Sequence, residues 1–315
     1  MRIGVTLPLA QGDTADGHVP TYDEARTFAM RAEAVALDSI WVFDHLLFRL
    51  ANKPEEGVRE AWTTLAALAP VVPRVELGSL VMCSSFRNPG LMAKMAATLD
   101  DLTGGRVILG LGSGWHDPEY EAFGYPADHK VGRFAEDLEI AARLLRGERV
   151  TYDGRWRTVV DAALVPPPAR HVPILVAAKG ARMLRLTAAW ADAWNTAWFG
   201  RVEERLLTRL EALQEACVAV GRDPATMRRT IGVRLHDPGT GGGDPLGLDA
   251  DAEGLAEFFD ELTALGIDDA LVWSISKSAA SVDRIGEARR LHLGRTGLSG
   301  GSADGSSAAS TTMRG

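Results

Sequence analysis

Short apolar strands alternate with amphipathic helices about eight times along this chain, and this alternation restricts its fold more than any other feature. Parallel strands joined by helices are covered on both faces, so each strand reads as an apolar run. Eight such units close into a barrel, whose functional residues lie at the C-terminal ends of the strands. The sequence therefore predicts a (β/α)8 TIM barrel with insertions, and the residues that follow each strand become the candidates for chemistry.

Each unit contributes one predicted strand and one predicted helix. The strands are expected at 2–8, 39–43, 75–83, 106–111, 173–177, 193–198, 230–235 and 270–274. Helices are expected near 22–35, 60–70, 131–147, 179–191, 202–220, 252–265 and 279–292, with another between Asn88 and Gly104. In that last helix Asn88 suits the cap, Pro89 suits the first turn and Gly104-Gly105 ends the helix. Apolar residues recur in it at helical spacing, namely Leu91, Met95, Leu99 and Leu102.

The chain length fits a single barrel domain, which we place at residues 1–293. Residues 149–165 are expected to form a hairpin outside the barrel, with Asp153-Gly154 at its turn. The Gly-rich segment 236–250 is expected to be a mobile loop. It is either a lid over the barrel mouth or a flexible connection without a function of its own. Residues 294–315 are rich in Gly and Ser, which predicts a disordered tail.

Charge and composition narrow the function classes. The net charge is −8, so the composition does not indicate a basic face that would bind nucleic acid or an anionic membrane. No apolar run approaches the roughly 20 residues of a membrane span, and the chain enters a strand at once, so we expect no signal peptide. The two cysteines, Cys83 and Cys217, lack metal-ligand or redox spacing, which favours a reduced, cytoplasmic protein.

Asp44 and His45 follow the second strand, where a barrel strand meets the mouth. A histidine at that place exchanges a proton near neutral pH, and an aspartate accepts a hydrogen bond from a ligand. The alternative is a helix cap by Asp44 and a surface histidine.

The fourth strand runs into Gly110-Leu111-Gly112-Ser113-Gly114. The dinucleotide motif G-x-G-x-x-G needs a glycine where Trp115 stands, so this loop is a different kind of turn. Its glycines allow close approach of the backbone to a flat or phosphorylated ligand. A tight strand-to-loop turn without a ligand is the alternative.

The segment Ala177-Ala178-Lys179-Gly180-Ala181-Arg182 follows the fifth strand and begins a helix. Free backbone amides and the positive dipole end of a helix N-terminus suit a phosphate, and Lys179 adds a charge that reaches an anion. A helix start with solvated basic side chains is the alternative.

Five tryptophans fall on or just after strands, namely Trp41, Trp115, Trp194, Trp198 and Trp273. Most buried tryptophans belong to a core, so we expect one or two at the pocket, with Trp115 and Trp198 favoured. The seven histidines show no metal-ligand spacing, and we predict no metal.

Together, these segments resemble the bacterial luciferase-like oxidoreductase superfamily over about residues 1–293. That group comprises flavin-dependent monooxygenases and the dehydrogenases and reductases of the deazaflavin coenzyme F420. The order and spacing of several stretches carry the resemblance, namely 39–45, 77–81, 86–89, 104–115, Glu119-Tyr120, Phe123-Gly124 and 184–195.

The resemblance implies a flavin or deazaflavin ring in the barrel mouth, with a non-proline cis peptide at Leu80-Val81 behind the ring. His45 would exchange a proton with the substrate, and Asp44 would bind the cofactor or orient the site. Ser113 and Gly114 would contact the cofactor and Trp115 would form a wall of the pocket. The cofactor phosphate would lie against Ala177, Ala178, Lys179, Gly180 and Ala181.

The Asp44-His45 pair is similar to that of F420-dependent members, whereas luciferase-type monooxygenases more often show Glu-His-His or a nearby cysteine. The Ala177-Ala178 pair, where many members have two glycines, also occurs among deazaflavin users. Members that oxidise sugar phosphates carry a glutamate where Trp115 stands here, which argues against a sugar-phosphate substrate.

The resemblance therefore implies hydride transfer between F420 and a small organic substrate. A reduced-FMN monooxygenase using O2 and a non-catalytic flavin-binding barrel remain alternatives. Because F420 carries a phosphate and a polyglutamate tail, Lys179, Arg182 and Arg87 would have to offset the acidity of the chain. The family also forms homodimers through helices on one side of the barrel.

Overall fold

Eight parallel strands form a closed barrel in the computed structural model, which describes residues 1–297. The barrel strands are β1 (Arg2–Thr6), β2 (Ser39–Val42), β3 (Glu76–Ser79), β4 (Val107–Gly112), β5 (Ile174–Ala177), β6 (Ala193–Phe199), β7 (Arg228–His236) and β8 (Asp269–Ser274). Each strand pairs with the next along the chain, and β8 returns to pair with β1, with Ile3 opposite Ala270. The predicted (β/α)8 TIM barrel is confirmed.

Nine helices lie within the described residues, and most of them form the outer layer. They are α1 (Tyr22–Ala34), α2 (Ala61–Leu68), α3 (Pro89–Thr103), α4 (Asp117–Phe123), α5 (Lys130–Leu145), α6 (Ala181–Trp190), α7 (Glu204–Ala219), α8 (Ala252–Ala264) and α9 (Ala279–Arg295). The caps follow the sequence, since the Asn88 side chain accepts from the amides of Gly90 and Leu91. Helix α3 then ends at Gly104, whose φ of 71° suits glycine.

The interior of the barrel is filled below its mouth by the indole of Trp41. This side chain is fully buried and its Nε1 donates to Ser39 Oγ at 2.8 Å. A Cβ atom at Gly4 or Gly78 would collide with the indole. The two strands on either side of β2, namely β1 and β3, therefore each carry a glycine that leaves room for it. Because the bottom of the barrel is packed, a ligand enters only from the C-terminal end of the strands.

The N-terminal end of the barrel is closed by partly buried ion pairs. Arg228 pairs with Asp269 and Glu76, and Arg2 also contacts Glu76. Burial lowers the pKa of Arg228, whereas the two carboxylates raise it. The carboxylates have the larger effect, so the pKa of Arg228 is raised. These contacts join β1, β3, β7 and β8 and stabilise the closure of the barrel.

The structure differs from the sequence prediction at three elements. The third strand stops at Ser79 and resumes as Met82–Cys83, and the peptide between Leu80 and Val81 is cis, as the resemblance implied. A further non-proline cis peptide, Ala197–Trp198, was not expected. Helix α4 lies in a stretch that carried no helix prediction.

The buried face of α3 is not the one that carries its leucines at helical spacing. Of the residues singled out by spacing, only Leu99 is buried, whereas Leu91 and Leu102 are 55% and 77% exposed. The helix instead packs through smaller or neighbouring residues, namely Met92, Ala93, Ala96 and Leu99. The same periodicity thus describes two faces of one helix, and the packing selects the other one.

Short strands lie outside the barrel. Val150–Asp153 and Thr158–Ala162 form an antiparallel hairpin, which Glu136 of α5 holds by accepting from the amides of residues 155–157. The segment predicted as a mobile loop contains a short strand, Gly247–Asp249, which pairs with β7. In the same segment the Asp249 carboxylate accepts hydrogen bonds from the amides of Gly239 and Gly241. Helix α9 reaches Arg295, two residues into the predicted tail; residues 298–315 of that tail lie outside the described residues.

Candidate active site

A cavity of about 670 Å3 opens at the C-terminal ends of the strands. The segments that follow β2 to β5 line it together with residues 195–198 of β6, and Trp273 of β8 closes the remaining side. All predicted site residues except Ala181 line this cavity, namely Asp44, His45, Leu80, Val81, Ser113, Gly114, Trp115, Ala177, Ala178, Lys179 and Gly180. Ala181 is the exposed first residue of α6, so its side chain does not reach the cavity.

His45 is held in the cavity by a buried carboxylate. Its Nδ1 lies 2.9 Å from Oε2 of Glu119, whose other oxygen accepts from the amides of Leu46 and Leu47. Burial would raise the pKa of the Glu119 carboxyl, but the hydrogen bonds from His45 and these amides keep it below its usual value. An ionised Glu119 accepts a hydrogen bond from Nδ1–H, so Nε2 is the ring nitrogen that is free to exchange a proton.

Asp44 is committed to the protein itself. Both of its oxygens accept from the Arg87 guanidinium, at 2.6 and 3.1 Å, and one also accepts from the Cys83 amide at 2.9 Å. Burial raises the pKa of Asp44 and the Arg87 charge opposes that effect. Arg87 also donates to Glu60 at 2.6 Å. Asp44 therefore orients the loops after β2 and β3. Arg87 forms ion pairs with two carboxylates of the protein, and its charge is not available to a ligand.

Cys83, Tyr120 and Gly114 form a close-packed wall of the cavity. The Cys83 Sγ lies 3.1 Å from the Tyr120 hydroxyl, which also donates to the Ser113 carbonyl at 3.0 Å. Burial raises the pKa of the Cys83 thiol to about 11 and also raises the pKa of Tyr120. Gly114 has a φ of 75°, and a Cβ atom there would collide with the Tyr120 hydroxyl. Neutral groups thus line this wall, and their packing leaves no room for a side chain at residue 114.

Aromatic rings cover the opposite side. Phe43 stacks on Trp273 with centroids 5.4 Å apart, and Trp198 meets Trp273 edge-on at 5.0 Å. Trp115 lies against His45 at 5.5 Å but is 63% exposed, so it forms the rim of the cavity instead of an inner wall. Trp41 and Trp194 are buried core residues, and Trp273 is a cavity residue that the sequence did not favour.

Positive charge collects where α6 meets the cavity. Gly180 caps α6 without a side-chain hydrogen bond, and Lys179 stands beside it on the cavity rim. Arg209 of α7 donates to the Thr196 hydroxyl at 2.7 Å and to the Ala197 carbonyl, and both of these residues line the cavity. Desolvation, then the charges of Arg209 and Arg205, lower the pKa of Lys179. The three cations therefore lie close enough to repel one another, which an anion would relieve.

A family model described as luciferase-like monooxygenase matches residues 1–236 of the chain. The chain belongs to the luciferase-like monooxygenase family.

Two relatives of this luciferase-like chain carry named activities. An F420-dependent glucose-6-phosphate dehydrogenase of Kineococcus radiotolerans is 32% identical over 72% of this chain and 68% of its own length. A phthiodiolone/phenolphthiodiolone dimycocerosates ketoreductase of Mycobacterium kansasii is 36% identical over 64% of this chain and 60% of its own length. A solved F420-dependent secondary alcohol dehydrogenase, in complex with an F420–acetone adduct, shares the fold with a TM-score of 0.79 at 20% identity, covering 92% of this chain and 98% of its own.

The sequence alone missed several residues of this luciferase-like site, and two of them are charged, namely Glu119 and Arg209. Glu119 was noted as part of a family stretch but not as the partner of His45, 74 residues away. Arg209 lies in a regular helix with no motif around it. Its only sequence signal is that it belongs to a cluster of basic residues in an acidic chain.

Two structural observations bear on other function classes. Within residues 1–297, no helix combines the length and apolar character needed to cross a bilayer. In the same part of the chain, no cluster of three or more His, Cys, Asp and Glu side chains is arranged to hold a metal ion.

Proposed function

We propose that this chain is an oxidoreductase that transfers a hydride between coenzyme F420 and a small organic substrate. The observation that carries the proposal is that one cavity joins the His45–Glu119 pair at one end to the cations beside α6 at the other. Proton exchange and phosphate binding are the two tasks that an F420-dependent enzyme requires of its protein. The F420-dependent relatives support the same proposal.

The residues present fit the cofactor. The cavity has aromatic and apolar walls suited to a flat ring, including Phe43, Val81 and Trp198. At Gly114 a Cβ atom would collide with Tyr120 and Cys83, so the close-packed wall of the cavity requires glycine there. A phosphate that is buried at this place requires positive charge around it. Such charge is supplied by Lys179, by the free amides at the start of α6 and by the nearby Arg209. The role of Ala181 would be limited to its backbone amide.

When bound, the deazaflavin ring supplies the hydride chemistry, and the protein supplies position and protonation. Nε2 of His45 gives a proton to the substrate when the substrate is reduced and takes one when it is oxidised. Glu119 holds the imidazole in the required tautomer by accepting from Nδ1. Asp44 and Arg87 keep the loop that carries His45 in place, and Trp115 and Phe48 shield the reaction from water.

The substrate is proposed to be small, organic and free of phosphate. The chain has Trp115 where sugar-phosphate-oxidising members have a glutamate, and Phe48 lies beside His45 with ring centroids 4.3 Å apart. Among the described residues, Lys179 is the cation that lines the cavity, and it lies at the start of α6, at the end assigned to the cofactor phosphate. An aromatic rim around His45 favours an apolar substrate over a charged one.

A pair of fluorescence titrations tests the proposal, one with F420 and one with FMN. Tight binding of F420 with weak binding of FMN is expected, followed by loss or gain of the deazaflavin absorbance in a substrate screen. Arg209→Gln should weaken F420 binding about tenfold, whereas the exposed Arg290→Gln serves as control and should leave it unchanged. Preference for FMN with consumption of O2 would replace the proposal by monooxygenase chemistry, and binding of neither would refute it.

We also propose a homodimer formed through α3. Leu91 and Leu102 are exposed on this helix with the half-buried Met95 between them, which makes an apolar stripe that a second copy would cover. Light scattering should report a dimer that Leu91→Glu/Leu102→Glu converts to a monomer. A wild-type monomer would refute this interface.

A cytoplasmic location without a nucleic-acid partner is proposed as well. The buried, free thiols of Cys83 and Cys217 and the net charge of −8 support it. Cell fractionation tests the location, and a gel-shift assay with random-sequence DNA and RNA tests the second part.

A further inference from the structure

A basic patch surrounds α6 and the start of α7 in a chain that is acidic overall. Between residues 179 and 209 six basic residues stand against three acids, although the whole chain has a net charge of −8. The basic residues are Lys179, Arg182, Arg185, Arg201, Arg205 and Arg209. Such a local reversal of sign attracts anions to one place on the surface.

Most of these cations have no carboxylate of their own. Arg201 and Arg205 both contact Glu203. Within residues 1–297, Lys179, Arg182, Arg185 and Arg209 form no salt bridge, since no carboxylate oxygen lies within 4.0 Å of their nitrogens. The patch therefore keeps a net positive field that the protein does not neutralise.

The patch continues outward from the cavity. Lys179 lines the cavity rim, and Arg209 holds Thr196 and Ala197, which line the same wall. Arg182 and Arg185 follow on the exposed face of α6, one turn apart, while Met183 and Leu184 bury the other face. Side chains three residues apart on a helix are neighbours at about 5–6 Å, so the two arginines extend the positive charge from the rim onto the surface.

We propose that Arg182 and Arg185 form a subsite for the oligoglutamate tail of F420, an inference that rests on the proposed function. Each glutamate of the tail adds a carboxylate, and the tail leaves the cofactor from its phosphate, which the cations at the cavity rim would hold. A negatively charged tail that emerges there meets the two unpaired arginines first. The subsite makes F420 with a longer tail a better ligand than F420 without one.

The subsite is electrostatic and exposed, which determines how it behaves. Charges on a surface are screened over about 10 Å at 0.1 M salt, and each exposed ion pair contributes little. The preference for a long tail should therefore be about threefold to tenfold at low salt and should vanish at high salt. Binding of the phosphate-free deazaflavin Fo should not change with either arginine.

The experiment is a fluorescence titration of the full chain with three ligands at low and at high salt. The ligands are Fo, F420 without glutamates and F420 with several glutamates. Wild type should prefer the long tail at low salt, and Arg182→Gln/Arg185→Gln should lose that preference while it keeps its affinity for the two shorter ligands. Arg290→Gln, an exposed arginine on α9, should retain it.

Four outcomes would overturn the subsite. Equal affinity of wild type for F420 with and without glutamates would refute it while leaving the proposed function intact. Retention of the preference in the double variant would place the tail elsewhere. A parallel loss of Fo binding would show that the substitutions act on the fold of α6. Failure of wild type to bind any of the three ligands would instead refute the proposed function together with the subsite.

Discussion

The Nδ1 atom of His45, in the loop after β2, lies 2.9 Å from Oε2 of Glu119, which belongs to α4 and follows 74 residues later. Glu119 is buried and also accepts from two backbone amides of the His45 loop. The carboxylate thus sets both the tautomer of the imidazole and the position of the loop. This relationship makes His45 the proton-exchanging group of the proposed reaction.

Replacement of His45 by alanine should separate binding from catalysis. In the proposed reaction the imidazole exchanges a proton with the substrate but does not hold the cofactor phosphate, which we place beside Lys179 in the same cavity. We expect His45→Ala to bind F420 with nearly unchanged affinity and to lose about 10²- to 10⁴-fold in turnover. A fluorescence titration and a turnover assay on the same preparation measure the two effects, and unchanged turnover would refute the role.

Glu119→Gln should slow turnover by about 10- to 10⁴-fold because the amide no longer enforces the tautomer. It should also alter acid stability. The folded-state pKa of Glu119 is depressed, so its ionised form stabilises the protein above its usual pKa, and this contribution disappears as pH falls through the folded value. Thermal unfolding from neutral to acid pH should therefore decline less steeply in Glu119→Gln than in wild type. An identical acid dependence would contradict the proposed pair.

Gly114→Ala tests the tight wall of the cavity. The residue combines a φ of 75° with a site at which Cβ would collide with Tyr120 and stand 2.7 Å from Cys83 Sγ. We expect a loss of about 2–4 kcal/mol in the free energy of unfolding. Gly124→Ala is the matched control, since its φ is 73° but nothing lies within 4 Å of the added atom. It should lose about 1–2 kcal/mol, and equal losses in urea unfolding would show that the collision is relieved at no cost.

Lys277→Met should change how stability depends on alkaline pH. The Nζ of Lys277 donates to the Thr6 carbonyl at 2.8 Å and lies 5.1 Å from the Trp273 ring centroid. Burial lowers the pKa of Lys277 to about 8 from 10.5. Between these values the unfolded chain holds a proton that the folded chain has released, so wild-type stability should gain from this group as pH rises through that window.

The variant should lack this gain, whereas Lys53→Met, at an exposed position, should keep it. Unfolding free energies from denaturant titrations across the window from about pH 8 to pH 10.5 measure the difference. A wild-type curve that is parallel to that of Lys277→Met would contradict the buried position of the ammonium group.

Much of the architecture can be predicted from local patterns in the sequence. The apolar strand runs, the Asn88 cap and the Gly104 end of α3 each depend on neighbouring residues, and the strands and helices lie close to their predicted places. The strand ends also located the cavity, because parallel strands in a barrel bring their C-terminal ends to one face. For this reason Asp44, Ser113 and Lys179 were found as cavity residues without any structure.

Local patterns were insufficient where one pattern fits two environments. Leu91 and Leu102 of α3 share helical spacing with buried Leu99, but the packing buries the face with Met92 and Ala96. Arg87 was expected to offset cofactor charge, and its position after β3 instead brings it onto Asp44 and Glu60. Periodicity does not reveal which face a neighbour covers, and a charge does not reveal its partner.

Local patterning along the chain was therefore sufficient for the eight-unit barrel, its open end and the His45 candidate. The partners of that histidine and of the cavity cations required the three-dimensional fold. Glu119 reaches His45 because α4 packs beside the loop after β2, and Arg209 reaches Thr196 because α7 folds back along β6. Contacts between residues far apart in sequence depend on how the barrel closes, and closure follows from the packing of all its strands at once.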